Sequence, residues 1–256
     1  MPSDEWVLQV RAVTVRFGGI VALQDVDLGV APAEVVGLIG PNGAGKTTLF
    51  DVISGLRAPT AGTVRLGGRD ITTVSAVGRS RLGLRRTFQH NQVFGALSVE
   101  DNVLAAMEWR GSGGGPLADI LHLRPSVRVE QERRRRAADA LALCGLTGVR
   151  TEIAGTLPVG LARLVELARA VVDSPAVLLL DEPTSGLGPR EADQLGSALD
   201  QLRTEHRCGI LLVEHDMGFV MDRSDRVVVL DLGRVIAAGT PDEVRSDTAV
   251  LEVYLG

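Results

Sequence analysis

The sequence predicts an α/β fold in which a mainly parallel sheet follows an N-terminal antiparallel β region and is interrupted by a helical insertion. Two aliphatic runs, at 176–180 and 207–213, have the continuous apolar character of strands that are buried on both faces of a parallel sheet. Residues 126–143 and 161–170 show helical spacing of apolar side chains instead. We therefore expect a helical segment inserted between two groups of strands.

The N-terminal third contains short β-type segments that lead into a glycine-rich turn. Strands are predicted at Leu8–Val15, Leu23–Val30 and Val35–Ile39. The turn follows the third strand directly, and helical spacing begins at about Gly45. A strand, a loop and a helix thus follow one another.

The middle of the chain combines strands, helices and a linker. Strands are predicted at Gly62–Leu66 and Leu84–Phe88, and helices at Val99–Arg110 and Ser126–Leu143. The expected inward positions of the second helix are Val129, Ala137, Ala140 and Leu141. Glycines lose much backbone freedom on ordering, so we expect a flexible connection at Gly111–Pro116.

The C-terminal part of the chain returns to the strand pattern. Asp225–Asp231 and Arg234–Ala238, separated by Leu232 and Gly233, predict a hairpin that is followed by two short helices. We place the core of a single domain at about residues 1–90 and 165–256, with the helical insertion at about 91–164.

Composition excludes several classes of protein. Of the 256 residues, 45% are apolar and 23% charged, which is usual for soluble, densely packed domains. Apolar runs end before the roughly 20 residues that span a bilayer, and the first residues lack the pattern of a secretory signal. We therefore expect a cytoplasmic protein.

A net charge of −5 argues against a surface that coats nucleic acid. Cys144 and Cys208 lack CxxC spacing, which predicts that both are buried thiols.

The basic residues are distributed unusually. Arginine supplies 26 of the 27, and the only lysine is Lys46. Because a lysine ammonium is a compact point charge and an arginine guanidinium is not, the chemistry around Lys46 is the first to consider. The run Arg133–Arg136 has two interpretations, a solvated helix face or a contact with anionic lipid or an acidic partner.

The residues around Lys46 match the phosphate-binding pattern GxxxxGK[ST], placed between a predicted strand and a predicted helix. Its glycines let backbone N–H groups converge on phosphate oxygens, and the helix directs its positive end to the same point. Lys46 is expected to reach the β and γ phosphates, and the Thr47 hydroxyl to bind Mg²⁺. The expected nucleotide-binding residues of this P-loop NTPase core are Gly40, Pro41, Asn42, Gly43, Ala44, Gly45, Lys46, Thr47 and Thr48.

Two carboxylates end the aliphatic strand at 176–180. This placement predicts that Asp181 lies near the magnesium ion and that Glu182 lies near the γ phosphate, where it polarises an attacking water. With Lys46 as the only lysine, the chain has no NKxD motif for guanine, which argues against Ras-like and translation-factor GTPases.

With these motifs, nearly the whole chain resembles the nucleotide-binding subunits of ABC transporters. Gln89 resembles the Q-loop glutamine, which in the family senses magnesium and touches the membrane partner. His215 resembles the switch histidine that contacts the γ phosphate, and Phe17 stands where the family places an aromatic ring against adenine. The resemblance implies an Mg²⁺-dependent ATPase with Glu182 as general base.

Several shorter stretches of the sequence are similar to the ATPase of branched-chain amino acid importers. The similar stretches are 86–90, 97–104, the glycine- and arginine-rich insertion, and the ending 239–256. The resemblance implies permease subunits, an indirect link to a substrate-binding protein, and attachment to the cytoplasmic face of the membrane only through partners. Uptake of related amides or urea stays open, because such systems are very similar.

The sequence departs from the family at the signature, usually LSGGQ. Here Leu157 to Leu161 reads LPVGL, so Gly160 is retained for contact with the γ phosphate of the opposite subunit, while Pro158 removes a hydroxyl and a backbone donor. One hydrogen bond to a charged group contributes roughly 1.5–3 kcal/mol. Proline is tolerated in the first turn of a helix, so we expect the helix to persist. Gly188 replaces the usual Asp or Asn of the D-loop.

These departures predict a heterodimer, in which a second ATPase subunit supplies a normal signature. They also leave open a regulatory module that binds ATP with little turnover. A soluble ABC ATPase of translation or DNA repair is the third candidate, although such proteins usually carry paired cassettes or long coiled coils, which this chain lacks.

Overall fold

The computed structural model describes residues 6–87, 93–108 and 127–255. They form two compact units. The first combines Met1–Gln89, Pro175–Ser185 and Leu199–Gly256, and the second combines His90–Ser174 and Gly186–Ala198.

The first unit contains an antiparallel sheet with the strand order β2-β1-β4-β5. The β1–β2 pairing runs from Leu8 opposite Val30 to Phe17 opposite Ile20. Val10, Val13 and Val15 of β1 are buried with Leu23 and Val26 of β2, and this shared apolar face holds the sheet together. The strands are β1 (Leu8–Phe17), β2 (Ile20–Val30), β4 (Ala61–Leu66) and β5 (Arg69–Asp70).

The second sheet of this unit has the order β10-β9-β3-β8-β7-β6. Its β3, β6, β7, β8 and β9 pair in parallel, and β10 adds an antiparallel edge to β9 through the hairpin at Leu232 and Gly233. Every residue of β3, β7 and β8 is buried, as their aliphatic runs predict. The bounds are β3 (Val35–Ile39), β6 (Leu84–Arg86), β7 (Val177–Asp181), β8 (Gly209–Val213), β9 (Arg226–Asp231) and β10 (Arg234–Gly239).

Helix α1, Lys46–Ser54, follows β3 after the glycine-rich turn. The buried side chain of Arg79, in α2 (Ala76–Arg81), donates from Nη1 to the carbonyl oxygens of Val52 and Ile53 at 2.6 and 2.7 Å. The same guanidinium donates to the carbonyls of Thr72 and Val74. Four backbone acceptors, two of them at the end of α1, are thus satisfied by one side chain.

Three further helices belong to the end of the first unit. The Thr240 hydroxyl and the Glu243 carboxylate form a reciprocal capping box at the start of α8. The sequence pattern predicted the two C-terminal helices, but not α7. Their bounds are α7 (Met217–Arg223), α8 (Pro241–Ser246) and α9 (Thr248–Leu255).

The second unit is helical. Helices α3 (Val99–Glu108), α4 (Val127–Leu143) and α5 (Val159–Val171) pack together, and the first residues of α6 (Pro189–His206) also belong to it. Asn102, fully buried, exchanges hydrogen bonds with the backbone of Phe94 at 2.7 and 3.0 Å and so ties the segment before α3 to that helix.

The prediction for α4 is confirmed at Ala137, Ala140 and Leu141, which are buried, but it is wrong at Val129. Val129 is 49% exposed, because the buried stretch of the helix begins only two turns later. Within the run Arg133–Arg136, Arg134 pairs with Glu130 and Arg136 with Glu132, each at 2.9 Å and four residues apart. These pairs favour the interpretation as a solvated face.

Parts of the predicted middle region lie outside the described residues. These are the linker Gly111–Pro116, the last residues predicted for the helix at 99–110, and Phe88 of the strand predicted at 84–88. Within the described residues, no helix combines the length and apolar character needed to cross a membrane.

Candidate functional site

The turn after β3 is built on glycines that no other residue can replace without strain. Gly40 has φ 149°, and a Cβ atom there would lie 1.9 Å from the carbonyl oxygen of Leu230. Gly45, with φ 106°, immediately precedes α1. The backbone therefore passes close to β9 and presents the N-terminal N–H groups of α1 at the carboxyl edge of the sheet.

Lys46 is held across this turn. Its side chain is 8% exposed, and Nζ donates to the carbonyl oxygens of Gly40 at 2.7 Å and Pro41 at 2.9 Å. Burial lowers the pKa of the ammonium, and the carboxylates of Glu182 and Asp181 partly oppose that shift. The chain's only lysine thus lies between the loop backbone and two acidic groups.

Asp181 ends β7 and is buried against an arginine. Its Oδ2 accepts from Nη2 of Arg86 at 2.9 Å, and Nη1 of the same guanidinium lies 2.7 Å from Oδ1 of Asp51 on α1. Burial raises the pKa of Asp181, Arg86 opposes that rise, and Glu182 and Asp51 add to it. Sequence patterns did not single out Arg86, which lies inside the strand predicted at Leu84–Phe88.

Glu182 follows Asp181 and turns toward the neighbouring strand. Its Oε1 lies 2.9 Å from Nε2 of His215, two residues beyond the end of β8. The backbone of Glu182 has φ 49°, a left-handed conformation that is uncommon outside glycine. The structure therefore brings the expected base and the expected switch histidine into contact.

Glu214 is a second residue that sequence patterns did not single out. Its buried carboxylate accepts from the backbone N–H of Thr184 at 2.6 Å and from that of His215 at 2.9 Å, and also from the Thr184 hydroxyl. One carboxylate thereby braces the loop after β7 and the loop after β8, which carry Glu182 and His215. Its position in Val-Glu-His-Asp, directly before the histidine, was the available signal.

The phosphate loop, the Asp181-Glu182 strand end and His215 surround one cavity of about 300 Å³, a volume at the lower end of small-molecule sites. The loop side supplies backbone donors, a cation and two hydroxyls, and the opposite side supplies two carboxylates and an imidazole. This set suits a polyphosphate with its counter-cation. The lining residues are Asn42, Gly43, Gly45, Lys46, Thr47, Thr48, Asp181, Glu182, Val213 and His215.

Other predicted site residues lie elsewhere or outside the described chain. Gln89 is outside the described residues. Phe17 ends β1 and is 41% exposed, and the guanidinium of Arg57 lies 4.3 Å from the centroid of its ring. Phe17 does not line the cavity of the phosphate loop.

The expected signature lies at the start of α5 in the helical unit. Pro158 occupies the N-cap position without a side-chain hydrogen bond, and α5 begins at Val159, so the expectation that the helix persists is confirmed. Gly160 is buried beneath Glu191, where an added Cβ atom would lie 2.9 Å from Cγ of that side chain.

Comparison with known proteins decides the family. The ABC transporter family profile matches residues 23–185, which include the phosphate loop and the Asp181-Glu182 strand end. The chain belongs to the ABC transporter ATP-binding family. Its chemistry is therefore that of an ATP-binding, transport-coupled ATPase, and its partners are transmembrane permeases. A second profile, of branched-chain amino acid ATP-binding cassette transporters, matches residues 234–256.

Relatives of this ABC protein match over almost its whole length. It is 40% identical to the high-affinity branched-chain amino acid transport ATP-binding protein BraF of Pseudomonas aeruginosa, with 98% of each chain covered. It is also 40% identical to LivG of Escherichia coli, which has the same description, over 98% of each chain. A lipopolysaccharide export ATP-binding protein, LptB of Acidithiobacillus ferridurans, is 36% identical over 98% of this chain and 97% of its own.

Solved structures of ABC cassettes share the fold. The ATP-binding cassette MJ1267, in its ADP conformation, has a TM-score of 0.83 and 30% identity, and the match covers 98% of this chain and 99% of that cassette. The cassette cbiO1 from Clostridium perfringens has a TM-score of 0.81 and 28% identity, with 97% and 94% covered. The predicted fold, a P-loop NTPase core with a mainly parallel sheet, an antiparallel β region and a helical insertion, is confirmed.

Proposed function

We propose that this ABC subunit hydrolyses Mg²⁺-ATP to power import of branched-chain or closely related amino acids. The cavity in which Lys46 and the phosphate loop face Asp181, Glu182 and His215 carries the proposal. A turn with phosphate-binding geometry and a carboxylate–imidazole pair around one volume support phosphoryl transfer to water.

Nucleotide binding rests on the loop and on α1. Backbone donors from Gly40 to Gly45 and the N-terminal N–H groups of α1 cradle phosphate oxygens, while Lys46 exchanges its two carbonyl acceptors for the β and γ phosphates. Thr47, Asp181 and Gln89 would hold Mg²⁺, which would supply positive charge to neutralise the transferred phosphoryl group.

Hydrolysis rests on the contact between Glu182 and His215. Glu182 accepts a proton from the attacking water, and His215 orients that carboxylate and contacts the γ phosphate. Gln89 acts as a second γ-phosphate sensor. Phe17 offers its ring to adenine, with Arg57 already stacked on it.

The transported substrate is inferred from the relatives. The two relatives at 40% identity are described as branched-chain amino acid transport proteins, whereas the one at 36% is described as a lipopolysaccharide export protein. The match at residues 234–256 also has the branched-chain description. These observations favour amino acid uptake, with permeases and a substrate-binding protein choosing the ligand and holding this subunit at the cytoplasmic face of the membrane.

The altered signature supports pairing with a different ATPase subunit. A homodimer places Pro158 in both signatures, whereas a heterodimer confines it to one of the two ATP sites. The site formed by Lys46, Asp181 and Glu182 with the partner's signature then hydrolyses ATP. The site that uses Gly160 of this chain binds ATP and turns over slowly.

Reconstitution with the native permeases, partner ATPase and binding protein tests the transport function. Wild-type complexes are expected to take up radiolabelled leucine when ATP is supplied. Lys46→Ala lowers ATP affinity, while Glu182→Gln retains ATP and reduces turnover by about 10²–10⁴-fold. The exposed Glu205 gives a matched control, Glu205→Gln, which keeps full turnover. ATP binding without turnover in the wild-type complex would instead identify a regulatory module.

The same complexes test the heterodimer. Glu182→Gln in this chain is compared with the equivalent change in the partner subunit, and Pro158→Ser restores the missing hydroxyl. The proposal expects the change in this chain to cost more turnover, and Pro158→Ser to raise it. Equal losses from both base variants, together with no effect of Pro158→Ser, contradict the asymmetry.

A further inference from the structure

Arg86 joins two elements of the nucleotide site that are far apart in sequence. Nη1 lies 2.7 Å from Oδ1 of Asp51 and 3.1 Å from Oγ of Ser54, both on α1. Nη2 donates to Oδ2 of Asp181 at 2.9 Å. One guanidinium thus spans from the helix that follows the phosphate loop to the end of β7.

The position of Arg86 follows from the sheet register. It ends β6, which runs parallel to β7 with Arg86 opposite Leu179, so its side chain reaches two residues further along the neighbouring strand. On the other side, Asp51 lies four residues after Thr47, one turn along α1. The arginine therefore connects the helix that carries Thr47 to the strand that carries Asp181.

The surroundings explain why a charged partner is needed. The side chains of Arg86 and Asp181 are only 7% and 5% exposed, and Glu182 and Asp51 add negative charge nearby. A buried carboxylate with other carboxylates nearby needs a positively charged partner and a fixed hydrogen bond to keep one orientation. Because Arg86 holds Oδ2, Oδ1 is the oxygen that this contact leaves to face another ligand.

We propose that Arg86 is a positioning residue that orients Asp181 for the divalent cation and fixes it relative to the Thr47 helix. The inference rests on the proposed function, since Thr47 and Asp181 must be the cation ligands. Arg86 itself does not touch the cation. Its planar guanidinium donates hydrogen bonds to two carboxylates at once, and the single ammonium of a lysine is less suited to that geometry.

The test separates nucleotide binding from its dependence on the cation. ATP affinity is measured for the full-length chain in EDTA and in Mg²⁺, and Mn²⁺ bound in the presence of ATP is counted by electron paramagnetic resonance. Arg86→Met is expected to keep the affinity in EDTA and to weaken cation binding about 10–100-fold, the usual loss when a partner that orients a metal ligand is removed. Arg86→Lys restores part of that loss.

A neighbouring arginine provides the matched control. Arg85, on the same strand, donates to the Ser80 hydroxyl, and the charged groups that shift the pKa of Asp181 are Arg86, Glu182 and Asp51, so Arg85→Met should leave cation binding unchanged. Asp51→Asn keeps the Arg86–Asp181 contact but breaks the ion pair to α1, and it should shift cation affinity in the same direction as Arg86→Met. If Arg86→Met does not fold, Arg86→Lys and Asp51→Asn decide the question.

Two results overturn the inference. One is unchanged cation affinity in Arg86→Lys and Asp51→Asn, or in a folded Arg86→Met. The other is an equal loss of ATP affinity with and without the cation, because Arg86 would then stabilise the whole nucleotide site and not the cation ligands in particular. Failure of the proposed function is recognised separately, because the wild-type chain would then bind no ATP or show no response to Mg²⁺.

Discussion

Nε2 of His215 lies 2.9 Å from Oε1 of Glu182, so a contact between side chains joins the loops after two adjacent parallel strands. The contact joins side chains 33 positions apart, and it forms because β7 and β8 end at the same edge of the sheet. In the proposed mechanism, the carboxylate that receives a proton from water is thus oriented by an imidazole.

Replacing His215 is expected to lower turnover more than nucleotide affinity. His215→Ala removes the group that orients Glu182, and ATPase activity of the assembled complex should fall at least about 10-fold, since a positioned acid–base group contributes about 10²–10⁴-fold. The ATP dissociation constant should change little. His206→Ala, at the exposed end of α6, is the control. Equal turnover in the two variants would contradict the role given to His215.

Glu214→Gln is expected to destabilise the fold. An amide keeps one acceptor oxygen but presents N–H to one of the donors of Thr184 or His215, leaving a partly buried donor without an acceptor. The expected loss is about 1–3 kcal/mol in the free energy of unfolding. Urea denaturation of both proteins measures it, with the exposed Glu205→Gln as control. Equal midpoints for Glu214→Gln and wild type would show that the brace contributes nothing.

Arg79→Met should lower the free energy of unfolding more than most single substitutions do. The side chain is 1% exposed and donates to four backbone carbonyls. Its removal would take this donor from all four, and of these the Val52 carbonyl would still accept from the N–H of Gly55. The expected loss is at least about 2 kcal/mol, because hydrogen bonds to charged groups contribute about 1.5–3 kcal/mol each and do not add fully. Arg81→Met, exposed in the same helix, should unfold like wild type. Thermal unfolding compares the two variants.

Both thiols are expected to be unreactive in the folded protein. Burial raises the pKa of Cys208 to about 12 and also raises the pKa of Cys144, so both thiols stay protonated at pH 8. Because the thiolate is the reactive form, neither cysteine should react quickly. A disulfide reagent should modify no cysteine in the native chain and two in denaturant. Rapid modification of native protein at pH 8 would contradict the burial of these residues.

The fold was largely predictable from the sequence, because its strands are marked by strong local patterns. The predicted bounds of β3 agree with the structure, and the hairpin at Leu232 and Gly233 is confirmed. Helix α6 was not predicted, because it is mostly polar and its apolar positions, such as Leu195 and Leu199, are sparse. Val129 was misplaced because spacing alone does not say where along a helix burial begins.

The site was predictable only where a contiguous motif marks it. The phosphate loop and the strand ending in Asp181 and Glu182 could be read directly, and the cavity contains them together. Arg86 and Glu214 could not, since their partners are 95 and 30 residues away and only the strand pairing brings them close. Their roles follow from the register of the sheet.

The carbonyl-held ammonium of Lys46 also makes this chain a natural single-site chemical reporter. With one lysine among 256 residues, the only side-chain amine available to an acylating reagent is the partly shielded one at the phosphate loop. Its modification, followed by mass spectrometry against the terminal amine as an internal reference, reads nucleotide occupancy on the unmutated protein. For the same reason, attachment of this protein to a surface through lysine would block the phosphate loop.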